Sequence, residues 1–259
     1  MYTCLLYDAQ NGVATITLNR PEVFNAFNNP QSYELQDALQ QAADDDSVRV
    51  VVLTGAGRAF CSGQDLKATQ DEADFSFADT LHKRYNPIIR AMRAMPKPII
   101  GRLNGVAAGA GCSLALACDV LIASTDASLI EVFINIGLVP DSGSSYFLPR
   151  LVGTLKAFEL CTLGSKVTAE EALRLGLVNQ VVAPAELDAA VATMAARYAT
   201  APTRSIGLIK QMLNKAGTAS LDEMLDYEAE CQQAAGESAD YREGVAAFTE
   251  KRKPVFNGR

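Results

Sequence analysis

The first fifty residues place their apolar side chains in two different periods. Residues 13–18 alternate at every second position, and they follow the largely apolar segment 3–8 and an Asn-Gly pair at 11–12. A period of two predicts strands, and Asn-Gly between two such segments predicts a β-hairpin. Residues 30–44 repeat their apolar positions at helical spacing, and the run 48–53 is almost wholly apolar. The chain is therefore predicted to open as strand, strand, helix, strand.

A second unit of alternating helices and strands follows. It contains a glycine-bearing loop at 55–57, a long helix that ends near Met95, and the apolar strand 98–103. A glycine turn, a short helix at 112–118 and the apolar strand 120–123 complete it. Nearly continuous apolar strands that alternate with helices are typical of an α/β fold with parallel strands and right-handed crossovers.

From about Thr154 onwards the pattern predicts helices throughout. Thr168 and Glu171 have the spacing of a capping box, and Gly176 is placed to end that helix. Later helices are expected to begin at Pro184, Pro202 and Ser220. The apolar faces of these helices are strong, so they either fold back on the α/β core or become buried against other subunits.

The composition is that of a globular protein without a nucleic-acid or membrane partner. The 259 residues are 49% hydrophobic and carry a net charge of -7, and the basic residues form no stripe. The small basic groups, at 251–253 and around Arg84, fit an ordinary solvated surface. Residues 1–8 lack the features of a secretory leader, and no apolar stretch approaches the roughly 20 residues that span a bilayer. A cytoplasmic protein is expected.

Cysteine and histidine usage narrows the possible chemistry. The six cysteines include no Cys-x-x-Cys pair, and several lie in apolar runs. They are predicted to be free, buried thiols of a reducing compartment. His82 is the only histidine and lies in a charged helical stretch. Neither a His-rich metal site nor a serine triad is therefore expected.

Three glycine-bearing turns are the local features that point to a site. They read CSGQDL (61–66), NGVAAGAGC (104–112) and GLVPDSG (137–143). Glycine permits positive φ and close backbone approach, so amides of the first two turns are able to converge on one oxygen. The second turn is not a Walker A sequence and is a poor dinucleotide fingerprint. Tight packing of the following helix explains its glycines equally well at this stage.

Asp141, in the third turn, is the candidate acid or base. It follows Pro140 and precedes a predicted helix start, where an N-cap is the ordinary explanation for an aspartate. The alternative is a carboxylate in an apolar pocket with a raised pKa, able to take and return a carbon-bound proton. Glu131 is the rival carboxylate.

Three segments resemble motifs of the crotonase (enoyl-CoA hydratase/isomerase) family, in order and at family spacing: NRPEVFNA (19–26), LTGAGRAFCSGQDL (53–66) and NGVAAGAGCSLALACD (104–119). The resemblance extends from about residue 3 to residue 256. It implies a crotonase (ClpP-like) spiral fold of ββα units with a C-terminal helical trimerisation region. The spiral core is expected over residues 1–200. The helical region, over residues 201–259, is expected to serve oligomerisation and to cover the CoA site.

The resemblance also implies roles for particular residues. The backbone amides of Gln64 and Ala110 match the oxyanion hole that holds a thioester carbonyl as it becomes an enolate. The two glutamates with which hydratases of the family activate water correspond to Ser113 and Phe133, and neither of these is able to act as a base. Asp141 stands where some family isomerases, and a dehalogenase, place an aspartate, which makes it the expected catalytic residue. The expected substrate-binding residues are Asn25, Ala26, Asp65, Leu66, Phe133 and Lys251, the last reaching from a neighbouring subunit.

The activity that the resemblance implies is isomerisation of an acyl-CoA, because a 1,3-proton shift needs only one carboxylate. The turn at 140–141 and the ending SADYREGVAAFTEKR (238–252) look closest to a family isomerase of phenylacetate degradation that rearranges a ring-epoxide of an aryl-CoA. The alternatives are Δ3,Δ2-enoyl-CoA isomerisation, a hydratase-like step of fatty acid β-oxidation, dehalogenation, and a non-catalytic acyl-CoA-binding scaffold. No cofactor or metal is expected, since coenzyme A is part of the substrate. The expected assembly is a homotrimer or a dimer of trimers.

Overall fold

The computed structural model describes residues 2–69 and 76–259. The strands are β1 (Leu5–Gln10), β2 (Val13–Leu18), β3 (Val50–Gly55), β4 (Ala59–Cys61), β5 (Ile99–Leu103), β6 (Val106–Ala108), β7 (Val120–Ser124), β8 (Ser128–Ile130), β9 (Val167–Thr168) and β10 (Gln180–Val182). They form one sheet in the order β1-β2-β3-β5-β7-β10 and a smaller one in the order β4-β6-β8-β9.

The helices, of which α6 is broken at Gly153, connect and cover these sheets. They are α1 (Asn29–Asp44), α2 (Leu66–Thr69), α3 (Phe77–Thr80), α4 (Asn86–Ala94), α5 (Ala110–Leu116), α6 (Ser144–Leu163), α7 (Ala169–Arg174), α8 (Leu187–Ala199), α9 (Thr203–Ala216), α10 (Leu221–Gly236) and α11 (Ala239–Glu250). None of the helices described in residues 2–69 and 76–259 has the length and apolar character needed to cross a membrane.

The predicted opening hairpin is confirmed. Strands β1 and β2 pair antiparallel with Leu5 opposite Leu18. Asn11 and Gly12 at the turn have φ values of 53° and 81°, and a two-residue turn with positive φ at both positions matches the right-handed twist of the strands. Strand β3 then lies parallel to β2, on the other side of β2 from β1.

After β2 the chain passes repeatedly from the larger sheet to the smaller one. Strands β3, β5 and β7 are parallel neighbours in the larger sheet. The strands that follow each of them, β4, β6 and β8, are parallel neighbours in the smaller sheet. Gly105 lets the chain turn tightly between β5 and β6, because a Cβ there would lie 2.0 Å from the carbonyl oxygen of Arg58. The expected spiral of ββα units is confirmed.

Burial on both faces explains the continuous apolar runs of the central strands. Val51 and Leu53 of β3 pack in the main core, whereas Val50 and Val52 pack with Leu187 and other apolar residues of α8. All six residues of β3 are buried. Parallel strands covered on both sides have this composition, and each fully buried aliphatic side chain contributes roughly 1.5–3 kcal/mol.

Two sequence-based expectations about helices are wrong. The region after Thr154 is not helical throughout, because it contains β9 and also β10, whose Gln180 pairs with Ile122 of β7. The long helix that ends near Met95 is divided into α3, a π-helical turn (Leu81–Tyr85) and α4. The part of that expected helix over 70–75 lies outside the described residues.

The C-terminal helices begin at the predicted residues and are anchored to the core. Helix α9 starts directly after Pro202, and α10 is capped by Ser220 in a capping box with Glu223. The buried Lys210 of α9 donates to Asp119 (2.7 Å) and to the carbonyl oxygen of Met92 (2.7 Å). The expected boundary at residues 200–201 falls in the link between α8 and α9, and the separate roles of the two regions stay a prediction.

Candidate active site

A cavity of about 200 Å³ lies where the three glycine-bearing turns meet. Asp141 is the one ionisable carboxylate among the described residues that line it, and most of the other lining side chains are apolar. The lining residues are Ser62, Gly63, Gln64, Leu66, Phe77, Thr80, Leu81, Tyr85, Gly109, Ala110, Val132, Phe133, Asn135, Ile136, Leu138 and Asp141. An apolar pocket with a few convergent polar groups is the usual form of a ligand site.

Two larger cavities elsewhere are weaker candidates for an active site. One of about 390 Å³ lies beside α9 and contains Arg93, Asp119 and Lys210. These charges already satisfy one another, because Asp119 accepts from Arg93 (2.8 Å) and from Lys210 (2.7 Å). Another, of about 480 Å³, lies among α9, α10 and α11. We therefore place the candidate active site in the smaller cavity.

The first turn fixes the direction of the Gln64 amide, and Gln64 is a lining residue of this cavity. The N–H of Phe27 donates to the carbonyl of Gly63 (2.7 Å), and the N–H of Asp65 donates to the carbonyl of Phe27 (2.9 Å). Successive amides of an extended segment point to opposite sides, so the N–H of Gln64 points away from Phe27. The Gln64 side chain fixes this orientation, since it donates to the Phe27 carbonyl (3.2 Å) and accepts from the Tyr85 hydroxyl.

The second turn presents the amide of Ala110. Ala110 is the first residue of α5, so its N–H has no acceptor within the helix. Gly109 before it has φ 53° and ψ -128°, a conformation that side chains disfavour. Helix α5 also packs directly on β4, because a Cβ at Gly111 would lie 2.1 Å from the carbonyl oxygen of Cys61. The second turn is thereby pressed against the first, and the oxyanion-hole role of the two amides stays a prediction.

Asp141 is not a helix cap. Helix α6 begins at Ser144 with Gly143 as its N-cap residue, and no side chain caps it. The Asp141 carboxylate lines the cavity and accepts a hydrogen bond from the Ser142 hydroxyl (2.8 Å). Burial raises the pKa of Asp141, and the Ser142 hydrogen bond opposes this in part. A carboxylate in such surroundings is suited to exchange protons with carbon.

Phe133 and Ser113, the positions that the family resemblance matches to the glutamates of hydratases, have structural contacts of other kinds. Phe133 is an apolar wall of the cavity. Ser113 is buried, and its hydroxyl donates to the main-chain carbonyl oxygen of Asp141 (3.0 Å). The rival carboxylate Glu131 is 3% exposed and is not a lining residue. His82 is exposed and likewise does not line the cavity.

The expected substrate-binding residues near the first turn mostly support its backbone. Asn25 is fully buried, and its amide group donates to the carbonyls of Ala56 and Ala59 (2.9 Å each). Arg20 contacts both Ala26 and Asp65. It donates to the carbonyl of Ala26 (2.6 Å) and forms an ion pair with the Asp65 carboxylate (2.9 Å). These contacts leave the Asn25 and Asp65 side chains engaged within the protein.

Of the expected substrate-binding residues Leu66 and Lys251, only Leu66 lines the cavity. Leu66 lines the cavity and is about half exposed, so it forms part of the wall open to solvent. Lys251 is the exposed C-cap residue of α11 and does not line the cavity. Contacts of any of these residues with CoA stay a prediction.

Sequence reasoning missed Tyr85 and Ser142. Tyr85 comes from the π-helical turn and donates to the Gln64 side chain, and nothing in its charged sequence neighbourhood marks it. Ser142 follows Asp141 directly in the sequence, and this adjacency is the one feature from which its contact with the carboxylate could have been predicted. All six cysteines are free thiols, as predicted, and five of them are buried; the prediction of burial is wrong for Cys161, which is half-buried.

Comparison with known proteins agrees with this architecture. The family model for enoyl-CoA hydratase/isomerase matches residues 8–259. The chain belongs to this family, the crotonases. This crotonase is 44% identical to 1,2-epoxyphenylacetyl-CoA isomerase of Escherichia coli strain K12, and the match covers both chains completely. It is 41% identical to a Rhodobacter capsulatus protein named probable enoyl-CoA hydratase, over 100% of this chain and 99% of the other.

A solved structure of the family confirms the crotonase fold. Enoyl-CoA hydratase from Bacillus anthracis superposes with a TM-score of 0.93 at 32% identity, over 99% of this chain and 100% of the other. The family assignment fixes the general chemistry. This crotonase is an acyl-CoA isomerase or hydratase.

Proposed function

We propose that this crotonase isomerises an acyl-CoA through an enolate, with Asp141 as acid and base. The N–H groups of Gln64 and Ala110 serve as the oxyanion hole. The observation that carries the proposal is that Asp141 is the one ionisable carboxylate among the described residues of a cavity that Gln64 and Ala110 also line. Its raised pKa brings proton transfer to and from carbon closer to balance.

In the proposed proton path, Asp141 acts first as the base and then as the acid. The Asp141 carboxylate removes a proton from the carbon beside the thioester carbonyl, and the electron pair of that C–H bond forms the enolate double bond. The carbonyl oxygen becomes an oxyanion, which the two N–H groups stabilise, each by roughly 10²- to 10³-fold in rate. Protonated Asp141 then gives the proton to a more distant carbon, and the thioester carbonyl forms again.

The two positions where hydratases of the family carry glutamates support isomerisation over hydration. Addition of water needs a base to activate it and an acid to protonate carbon. Phe133 is apolar, and the Ser113 hydroxyl is engaged with the Asp141 main chain. No pair of carboxylates lines the cavity among the described residues, whereas a proton shift requires only one.

We propose a ring-epoxide of phenylacetyl-CoA as the substrate. The carbon–carbon bond shared by the epoxide and the six-membered ring breaks as the ring double bonds shift, which gives the seven-membered oxepin, and the proton transfer by Asp141 then moves a double bond into conjugation with the thioester. Two observations support this substrate. The full-length relative at 44% identity is named for that isomerisation. The cavity walls also include Phe77, Leu81 and Phe133, whose apolar surfaces suit an aromatic ring.

A spectrophotometric assay tests the proposal. Wild type, Asp141→Asn and the surface control Asp126→Asn are compared on three substrates: the epoxidised phenylacetyl-CoA, a 3-enoyl-CoA and a 2-enoyl-CoA. We expect turnover of the epoxide by wild type and by Asp126→Asn, whose exposed side chain lies in a turn. Asp141→Asn should lower kcat by roughly 10²- to 10⁴-fold, the usual contribution of an acid-base group.

Other results of the same assay contradict the proposal in different ways. Turnover of the 3-enoyl-CoA alone would show that the substrate is a fatty enoyl-CoA and not the ring-epoxide. Hydration of the 2-enoyl-CoA alone would make the protein a hydratase. Tight acyl-CoA binding without any turnover would make it a scaffold.

We also propose that the protein assembles as a homotrimer or a dimer of trimers. Apolar side chains are strongly exposed in the single chain, among them Leu155 (90%) and Phe158 (70%) of α6 and Phe248 (86%) of α11. Large exposed apolar patches are typical of surfaces that other chains cover. Light scattering should give a mass of three or six chains, and a Leu155→Asp, Phe158→Asp variant should give a smaller one. A monomeric wild type would contradict the proposal.

A further inference from the structure

A chain of three short oxygen–oxygen contacts leads from Glu131 to the turn that carries Asp141. Glu131 Oε1 lies 2.8 Å from Ser144 Oγ, and Ser144 Oγ lies 2.8 Å from Ser113 Oγ. Ser113 Oγ in turn lies 3.0 Å from the main-chain carbonyl oxygen of Asp141. Glu131 is 3% exposed, and both serines are 0% exposed. None of these three side chains lines the cavity.

The number of protons available for these contacts determines the protonation state of Glu131. Three contacts of hydrogen-bond length require three protons, but the two serine hydroxyls supply only two and the carbonyl oxygen supplies none. With an ionised Glu131, one buried pair of oxygens would face each other without a proton between them. The Ser113 hydroxyl also lies 3.3 Å from the Gly109 carbonyl oxygen, so its single proton already serves two acceptors.

A protonated Glu131 satisfies every contact in one direction. The carboxylic acid donates to Ser144, Ser144 donates to Ser113, and Ser113 donates to the carbonyl of Asp141. Buried polar networks are stabilising when each member is satisfied and costly when one is not. This chain of hydrogen bonds is therefore complete in one arrangement only, and that arrangement requires Glu131 to be the neutral acid.

The surroundings of Glu131 agree with the neutral form. Its Oε2 atom has no hydrogen-bond partner among the described residues, which a buried carboxylate would need. Burial raises the pKa of Glu131, and the negative charge of Asp141 raises it further, while contacts from Ser144 and the Cys112 thiol oppose this in part. The other titratable group that interacts with it is Cys161 of α6, and none of these neighbours is a cation.

We propose that Glu131 is an uncharged positioning residue, which holds the Asp141 turn through Ser144 and Ser113. The proposal rests on the proposed role of Asp141. The chain ends on a main-chain carbonyl and not on the Asp141 carboxylate, so it carries no proton to the substrate. Ser113 belongs to α5, whose first N–H is that of Ala110. The chain therefore holds the base and one oxyanion donor at a fixed separation.

Two substitutions of Glu131 test this role. Glu131→Gln keeps the shape and an N–H donor toward Ser144, so kcat should stay within about twofold of wild type, with an unchanged acid limb in its pH profile. Glu131→Leu removes the donor and should lower kcat by roughly 10- to 100-fold with little change in KM, the effect of a misplaced catalytic group. If Glu131→Gln loses activity as Asp141→Asn does, Glu131 transfers protons itself and the positioning role is wrong. A wild-type kcat in Glu131→Leu would overturn it as well.

Infrared difference spectroscopy tests the protonation without any turnover. The spectrum of wild type minus Glu131→Gln at pH 7 should contain the C=O band of a protonated carboxyl group, and the band should persist in an Asp141→Asn background. A carboxylate band in its place would overturn the proposal whatever the kinetics show. A retained carboxyl band together with an active Asp141→Asn would refute only the proposed function. If Glu131→Leu does not fold, Ser144→Ala interrupts the same chain and should show the same loss of kcat.

Discussion

A methyl group on Gly63 would lie 3.4 Å from the amide nitrogen of Ala110. The same group would lie 2.9 Å from the carbonyl oxygen of Ala108, and Gly63 has φ +96°. The two glycine turns are thus in contact only because position 63 lacks a side chain. Gln64 and Ala110, which follow directly after Gly63 and Gly109, line the same cavity.

Gly63→Ala should therefore separate the two amides. We expect kcat to fall by roughly 10²- to 10³-fold, the loss that follows removal of one oxyanion donor. Gly176→Ala is the matched control, because Gly176 has φ +76° but no atom within 4 Å of the added Cβ. It should cost about 1–2 kcal/mol of stability from backbone strain and leave kcat unchanged. Equal kinetic effects of the two substitutions would contradict the oxyanion hole.

The raised pKa of Asp141 predicts an acid limb in the pH profile. The base must be ionised to act, so kcat/KM should fall as pH decreases through a value above the ordinary aspartate pKa of about 3.9. Burial is the cause of the raised value. The measurement is kcat/KM from pH 4 to pH 9, and a profile that is flat down to pH 4 would show that Asp141 is not the base.

The same pKa predicts that Asp141 lowers the stability of the fold. A carboxyl group with a higher pKa in the folded state binds protons more tightly there than in the unfolded chain. Its ionisation therefore favours the unfolded chain at neutral pH, and this penalty disappears as pH falls below the unfolded value. Asp141→Asn should melt at a higher temperature than wild type at pH 7 and lose this advantage below about pH 4. Thermal unfolding at both pH values checks the sign.

Ser142 should tune the pKa of Asp141. Its hydroxyl donates to Asp141 Oδ1 (2.8 Å) and favours the ionised form. Ser142→Gly and Ser142→Ala both remove this donor, so both should move the acid limb to higher pH. They should differ in stability, because Ser142 has φ 50°, which glycine adopts without the cost of about 1–2 kcal/mol that alanine bears. An unmoved acid limb in both variants would show that the hydrogen bond does not matter for the base.

The pair of Arg20 and Asp65 should stabilise the first turn. Their side chains are 16% and 12% exposed and meet at 2.9 Å, and Arg20 also donates to the Ala26 carbonyl. Arg20→Ala leaves both acceptors without this donor and should cost about 2 kcal/mol, less than a fully buried pair because some water reaches it. Lys83→Ala, which breaks an exposed pair with Asp79, is the control and should leave the melting temperature unchanged.

Periodic and glycine-rich features were predictable from the sequence. The hairpin, the central strands and the start of α10 follow from alternation, apolar runs and the helix-start signal at Ser220. Strands β9 and β10 did not follow, because two or three residues are too few to show a period and they form only through pairing with distant strands. The π-helical turn at Leu81–Tyr85 has no sequence pattern that separates it from an ordinary helix.

The site was predictable only in part. The two amide-bearing turns were visible as glycine motifs, but spacing alone favoured an N-cap for Asp141, and its catalytic role was predicted only from the family resemblance. The contacts among Glu131, Ser144 and Ser113 join residues 13 and 31 positions apart, and the last of these reaches Asp141 across 28 positions. Bonds of this kind depend on how α5 and α6 pack, and no single-sequence pattern encodes that packing.

The hydroxyl of Ser113 has a consequence for how this enzyme could change during evolution. It donates to the main-chain carbonyl of Asp141, and the family resemblance matches its position to an acid of the hydratases. A mutation of Ser113 to glutamate would introduce one half of the water-adding machinery and at the same moment remove that hydrogen bond. Under the proposed function, this single replacement would therefore not add hydration to an intact isomerase, because the hydroxyl that supports the Asp141 turn is lost with it.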